Sequence, residues 1–158
     1  MGISVNPIVI VGIPLSELVK IEKTEEQYDV YDKRGNKTGE TGVDITYRFS
    51  LKKNGKEMAF TQENDKIYSD SFEEFGLEEY PSDGKFGIFT TNYDSNDFET
   101  FIVGVKLLEV NAMYTDEMLS SINLDKVTEA MFKVKNILST DFSVYSHPKL
   151  YLYGNASY

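Results

Sequence analysis

The chain contains no cysteine and a single histidine, His147, among its 158 residues. Without cysteine there can be no disulfide, no thiolate nucleophile, no iron–sulfur cluster and no cysteine-ligated zinc site. One histidine cannot supply a multi-histidine metal centre. The sequence therefore predicts neither a metal site nor a cofactor.

Long apolar segments are also missing. The longest nearly apolar run, residues 8–15, is far shorter than the ~20 residues that cross a bilayer. No basic segment precedes this run, as a secretory signal would require. Asn6 stands where an N-myristoylation signal has Ser or Thr. We therefore expect a cytoplasmic protein that makes no contact with membranes.

Phosphate-binding loops are absent from the sequence. Gly55-Lys56 is followed by Glu57, and Gly84-Lys85 by Phe86, whereas a Walker loop continues with Ser or Thr and has a second glycine five positions earlier. No two glycines have the Gly-x-Gly spacing of the dinucleotide fingerprint. Neither nucleotide-binding template is met.

Nucleophilic catalysis would have to use His147, since no other histidine exists. Pro148 holds His147 in an extended conformation, so the adjacent Ser146 points to the opposite face. No Gly-x-Ser-x-Gly elbow occurs. The sequence predicts a surface histidine, no catalytic residue and a protein that is not an enzyme.

A calcium loop can be tested at Asp94–Glu99. Asp94 and Asn96 fit its first and third positions, but Phe98 and Glu99 stand where an oxygen ligand and a glycine are required. We expect a polar connection between strands rather than a metal site.

Negative charge is concentrated in residues 61–99. This segment has eleven acidic residues against Lys66 and Lys85, a charge of −9 in a chain of −10. Eight aromatic residues alternate with the acids: Tyr68, Phe72, Phe75, Tyr80, Phe86, Phe89, Tyr93 and Phe98. Such a composition differs from that of an acidic disordered tail, because it supplies apolar residues that can fold onto a domain.

Two interpretations of this segment remain open. Either it is a solvated acidic face whose aromatic residues pack in the core, or it is an acidic–aromatic surface that binds a basic partner. Its potential repels nucleic acid, so a nucleic-acid mimic that occupies a basic groove is one form of the second hypothesis. The acidic residues that would make the contact are Glu73, Glu74, Glu78, Glu79, Asp83, Asp94, Asp97 and Glu99.

The pattern of strands favours one α+β domain over residues 1–158, mainly antiparallel sheet with helices in the C-terminal third. Residues 8–11 form an apolar run typical of a buried strand, and residues 43–51 alternate at period two. Asn54-Gly55 predicts a tight hairpin. Gly104 suggests a bulge in the strand predicted over 99–110. The strands predicted over residues 8–61 suggest an antiparallel meander.

Three helices are predicted. Ser71 and Gly76 would cap a short one, a second would begin at Thr115 and run through Ile122, and Asn123 would cap the third. In the third helix apolar residues recur at helical spacing and predict a face packed on the core. They are Leu124, Val127, Met131, Val134 and Leu138.

The strand predicted over 149–153 offers a second surface. Tyr151 and Tyr153 share one face, and Leu150 and Leu152 the other. If this strand lies at a sheet edge it can pair with a copy of itself. We therefore expect a homodimer in which Tyr151 and Tyr153 contribute to self-association.

Residues 10–18, Ile-Val-Gly-Ile-Pro-Leu-Ser-Glu-Leu, together with residues 31–36, resemble the opening of small acidic proteins encoded by bacteriophages. The resemblance covers about a quarter of the chain and implies no active-site residues. The chain is also similar to phage proteins that block host defences, including nucleic-acid mimics. The resemblance implies a host-defence inhibitor in the host cytoplasm.

Two other functions stay open. The chain could be an oligomeric nucleotide sponge or an undetected hydrolase, with aromatic rings stacking on a base and cations receiving phosphate; the cations would be Arg34, Arg48, Lys52 and Lys53. It could instead be a minor virion component.

Overall fold

Seven strands arranged in two antiparallel sheets make up most of the part of the chain that the structure describes. The computed structural model describes residues 4–63, 70–90, 101–109 and 121–157. In chain order the strands are β1 (Ser4–Pro14), β2 (Lys20–Tyr31), β3 (Lys37–Lys53), β4 (Lys56–Glu63), β5 (Phe86–Thr90), β6 (Phe101–Glu109) and β7 (Lys149–Ser157). The described helices are α1 (Asp70–Glu74) and α2 (Leu124–Thr140), with a 3-10 turn at Leu15–Glu17. The α+β fold predicted from the sequence is confirmed.

The four-stranded sheet has the order β5-β6-β1-β7. Residues 8–14 of its strand β1 form a continuous apolar run, as is typical of a strand whose two faces are both buried. Val11 and Ile13 enter the main core with α2, whereas Ile8 and Ile10 pack on the opposite face with a smaller cluster. Burial on both faces explains why β1 lacks the alternation seen in β3.

The three-stranded sheet has the order β2-β3-β4 and is the predicted meander. Asn54 and Gly55 have φ of 52° and 76°, which is the geometry that an Asn-Gly hairpin requires. The expectation that β1 joins this meander is wrong, because β1 pairs with β6 and β7.

Strand β3 carries its period-two stripe from the core to the solvent. Phe49 and Leu51 are 1% exposed, Tyr47 and Ile45 are half-buried, and Val43 is 48% exposed. Among the described residues the pairing of β4 with β3 reaches Thr46, and residues 25–45 continue as an arm in which β2 pairs with β3. The side chains of this stripe are therefore buried at the end of β3 that lies on the main core and become exposed along the arm.

Helix α2 begins as predicted, because the Asn123 side chain accepts a hydrogen bond from the Asp125 N–H at 2.8 Å. Val134 and Leu138 are fully buried, Val127 and Met131 are half-buried, but Leu124 is 79% exposed. Assigning Leu124 to the packed face was wrong, since the first turn of the helix extends past the core.

Two further details differ from expectation, and two other predictions lie mostly or wholly outside the described residues. Helix α1 starts at Asp70, so Ser71 lies within it and is not its cap. Gly104 marks no bulge; the irregularity lies at Leu107, the residue of β6 left out of the pairing with β1. The helix predicted from Thr115 lies outside the described residues, except that Ser121 and Ile122 are not helical, and so does the loop predicted over 92–97.

Candidate protein-binding surface

Helix α1 and the residues that follow it are fixed to the domain by buried apolar side chains. Phe72, Phe75 and Leu77 are each 2% exposed, and the rings of Phe72 and Phe101 lie 5.1 Å apart at a 58° tilt. The Leu77 N–H donates to the Phe72 carbonyl at 3.0 Å. These contacts hold the backbone of residues 72–77 in one conformation.

The acidic residues that lie between and after these buried side chains are exposed. Glu73, Glu74, Glu78, Glu79 and Asp83 are all exposed, and together we call them the acidic surface. Asp94, Asp97 and Glu99 lie outside the described residues. Five of the eight acidic residues singled out from the sequence are thus exposed between residues 73 and 83.

The acidic surface runs beside the edge of the four-stranded sheet. The Ile88 N–H donates to the Glu78 carbonyl at 2.9 Å, and the Tyr80 N–H donates to the Ile88 carbonyl at 3.0 Å. A parallel bridge between Glu79 and Ile88 accompanies them. Residues 78–80 therefore cover the outer edge of β5 and carry their carboxylates on ordered backbone.

The acids differ in their partners. Glu73, Glu74 and Glu78 form no salt bridge with any residue in the described ranges. Asp83 pairs with Lys106 at 3.0 Å, and Lys106 also pairs with Glu109 at 2.8 Å. Among the described residues, the exposed carboxylates of Glu73, Glu74 and Glu78 therefore face solvent without a paired cation.

Lys106 ties the turn at Asp83 to strand β6. Partial burial opposes the charge on its ammonium group, but the hydrogen bonds that this group donates to Glu109 and Asp83 outweigh that effect, and the pKa of Lys106 is raised. Because the pKa rises from an already high value, Lys106 stays charged at neutral pH and keeps the turn attached.

Lys53 also lies close to α1, but its ammonium group forms no salt bridge with a described acidic residue. The Lys53 ammonium donates to the carbonyls of Phe75 and Gly76 at 3.5 and 3.4 Å, and lies 5.3 Å from the centre of the Phe142 ring. A cation at the carboxyl end of a helix satisfies carbonyl groups that have no partner in the helix. Lys53 therefore has a structural role.

Most of the described aromatic residues of the acidic segment belong to the core. Phe72, Phe75 and Phe89 are 1–2% exposed, and Phe86 is half-buried. Tyr80 is 39% exposed, with its ring packed edge-on against Phe89 at 6.1 Å. Among the described residues of this segment, the exposed aromatic surface is therefore Tyr80, and the remainder of the surface is acidic.

The cations of the nucleotide hypothesis are not brought together. Arg34 lies in the turn at the tip of the arm, whereas Lys52 and Lys53 lie at the far end of β3. About fifteen residues of extended strand separate the two ends, roughly 50 Å. Arg48 faces solvent between them. This arrangement does not form a phosphate site.

Sequence reasoning missed a cavity of about 410 Å³ between β6 and α2. Its basic residues are Lys106, Lys126 and Lys133, which come from two separate segments, and Asp83 and Glu129 also line it. Lys106 is held by carboxylates and Lys133 donates to the Gly84 carbonyl. Lys106 and Lys133 therefore already have hydrogen-bond partners within the protein.

The two tyrosines predicted for self-association are half-buried. Tyr151 and Tyr153 pack on Ile8, Ile10 and their neighbours in the smaller cluster. Burial, together with the charge of Glu17, raises the pKa of the Tyr151 hydroxyl. The exposed apolar residues of β7 are Leu150 and Leu152, at 49% and 72%.

His147 is exposed in the segment between α2 and β7. Within the described ranges no three histidine, aspartate or glutamate side chains are grouped so as to hold a metal ion, and no described helix is long and apolar enough to cross a membrane. Comparison of the chain with protein families, curated proteins and solved structures found no match.

Proposed function

We propose that this chain is a non-enzymatic binding protein that uses the acidic surface to bind, and thereby inhibit or sequester, a basic protein. The observation that carries the proposal is the exposure of Glu73, Glu74 and Glu78 without salt bridges to described residues. Such carboxylates are available to a partner's cations without first giving up a salt bridge to any described residue.

Order in the backbone supports the same proposal. The acids lie on segments fixed by Phe72 and Phe75 and by hydrogen bonds to Ile88. A backbone that is already ordered beneath the acids loses little backbone entropy on binding. Tyr80 adds an exposed aromatic ring of the kind enriched at protein interfaces.

The partner class follows from the charge and from the resemblance to phage proteins. A row of carboxylates fits a basic groove, and the phage inhibitors that the chain resembles include nucleic-acid mimics. The proposed partner is therefore a host protein whose basic groove receives nucleic acid. Charge attraction would speed encounter and make binding depend on salt.

The test is affinity capture from bacterial lysate with the tagged full chain. The quadruple variant Glu73→Lys, Glu74→Lys, Glu78→Lys, Glu79→Lys changes the net charge from −10 to −2. All four side chains are exposed, so the fold is expected to survive, which circular dichroism would check. We expect this variant to lose the basic partner that the natural chain captures.

A matched control separates position from net charge. Glu26→Lys, Glu40→Lys, Asp44→Lys, Glu57→Lys also gives a net charge of −2, and these four residues are exposed on the three-stranded sheet. The control is expected to retain the partner. Loss of the partner from both variants, or from neither, would contradict the proposed role of the acidic surface.

A further inference from the structure

The two edges of the four-stranded sheet differ in how much of their backbone is paired. The outer edge of β5 is covered by residues 78–80 through hydrogen bonds to Ile88. At the opposite edge, β7 pairs with β1, and no other described strand lies along it. A strand in this position presents a row of backbone N–H and carbonyl groups that another strand can pair with.

The side chains of β7 do little to prevent such pairing. Its nine residues include one charged side chain, Lys149, whereas the edge strand β2 has six charged residues among twelve. Charges on an edge are a common protection against strand addition. Leu150 and Leu152, in contrast, expose 49% and 72% of their surface.

The two leucines lie on the same face of the sheet as the main core. Leu150 pairs with Val11 and Leu152 pairs with Val9, and paired residues of antiparallel strands project to the same face. Val11 is fully buried in the core beneath α2. The leucines therefore extend the apolar layer past β1 to the open margin of the sheet.

We propose that a second copy of this chain pairs antiparallel with β7 about a twofold axis at Tyr151, joining the two four-stranded sheets into one of eight strands. In this register Leu150 of each copy lies opposite Leu152 of the other. An antiparallel strand paired with itself is the simplest isologous contact, since both partners present the same surface. The pairing covers the open edge and both leucines at once.

The distribution of charge is compatible with a second copy as the occupant. The acidic surface lies at the β5 edge, three strand spacings from β7, or about 14 Å. In the eight-stranded sheet the two β5 edges are seven spacings apart, about 34 Å. This separation is several times the screening length of about 8 Å at physiological salt, so the acidic surface does not oppose the pairing.

The mass in solution is the first test. The full chain should give twice its 18.0 kDa by light scattering coupled to size exclusion, and Leu150→Lys with Leu152→Lys should give the monomer. Tyr31→Lys with Val43→Lys is the matched control on the arm, where the side chains are 60% and 48% exposed; it should remain dimeric. A monomeric natural chain, or a dimer unaffected by the lysines on β7, would overturn the proposal.

Cross-linking then tests the register, because the chain has no cysteine. At the twofold axis the Cα atoms of residue 151 in the two copies would be about 4.5–5.5 Å apart, within the range of a disulfide. Tyr151→Cys should form a disulfide-linked dimer on mild oxidation, and Val43→Cys should not. Failure of Tyr151→Cys to cross-link in a chain that is dimeric by mass would overturn the register.

Discussion

At the scale of single residues, the close approach of β1 and β6 depends on two glycines that face each other. Gly12 pairs with Gly104, and a Cβ on Gly104 would clash with the carbonyl of Val11 and the Cα of Gly12. A clash with backbone between central strands cannot be relieved by moving a flexible side chain. Gly104 is therefore required by the spacing of the strands.

We predict that Gly104→Ala lowers the free energy of unfolding by about 2–3 kcal/mol, the upper part of the usual cost of overpacking. Chemical denaturation would measure it. Gly84→Ala is the comparison, because a Cβ there meets nothing within 4 Å and the cost comes from the positive φ of 77° alone, about 1 kcal/mol. Equal losses in the two variants would contradict the role of strand spacing.

Asp32 organises the turn at the tip of the arm. Its carboxylate accepts hydrogen bonds from the Asn36 and Arg34 N–H groups at 2.9 and 2.8 Å. These bonds, the one from Asn36 first, hold the pKa of Asp32 below its ordinary value. A lowered pKa means that the folded turn favours the charged carboxylate.

The pH dependence follows from this direction. The contribution of Asp32 is present above its unfolded pKa of about 3.9 and is lost as the pH falls through the lower folded value. In an NMR titration the Arg34 and Asn36 amide signals should move with a midpoint below about 3.9. A midpoint at or above that value would contradict the hydrogen-bonded turn.

At the scale of elements, α2 shows how far a periodic pattern can be interpreted. The spacing of Val127, Met131, Val134 and Leu138 correctly predicted the packed face. Leu124 continues the same spacing but is exposed, because periodicity defines a direction around the helix and not where the neighbouring sheet ends. The pattern also omitted Ala130, which is buried.

Two leucines of α2 therefore give a matched pair of variants. Leu138 is fully buried and Leu124 is 79% exposed, although the sequence alone treats them alike. We predict that Leu138→Ala lowers the free energy of unfolding by about 2–5 kcal/mol and Leu124→Ala by less than about 0.5 kcal/mol. Similar losses in chemical denaturation would mean that the position of α2 on the sheet is wrong.

At the scale of the whole molecule, local patterns predicted the strands better than their partners. The Asn54-Gly55 hairpin follows from local turn chemistry, and it formed as predicted. The pairing of β1 with β7 joins residues about 145 positions apart, and no local signal specifies it. The expected meander was therefore right for β2, β3 and β4 and wrong for β1.

The candidate surface was predictable to a similar extent. Charge counting located Glu73, Glu74, Glu78 and Glu79, which the structure places in solvent. It did not separate rim aromatics from core aromatics, because the burial of Phe72 and Phe75 depends on distant partners such as Phe101. The open edge of β7 likewise depends on the strand order, which the sequence does not specify.

The central claim is that the position of the acids, and not the total charge, binds the partner. The most direct measurement is the dissociation constant of the captured complex across a range of salt, by calorimetry, for the natural chain and both quadruple lysine variants. The account predicts that reversal at Glu73, Glu74, Glu78 and Glu79 weakens binding roughly tenfold or more and flattens the salt dependence. The control, with the same net charge, should bind nearly as the natural chain does. Equal weakening by the two variants would contradict the account.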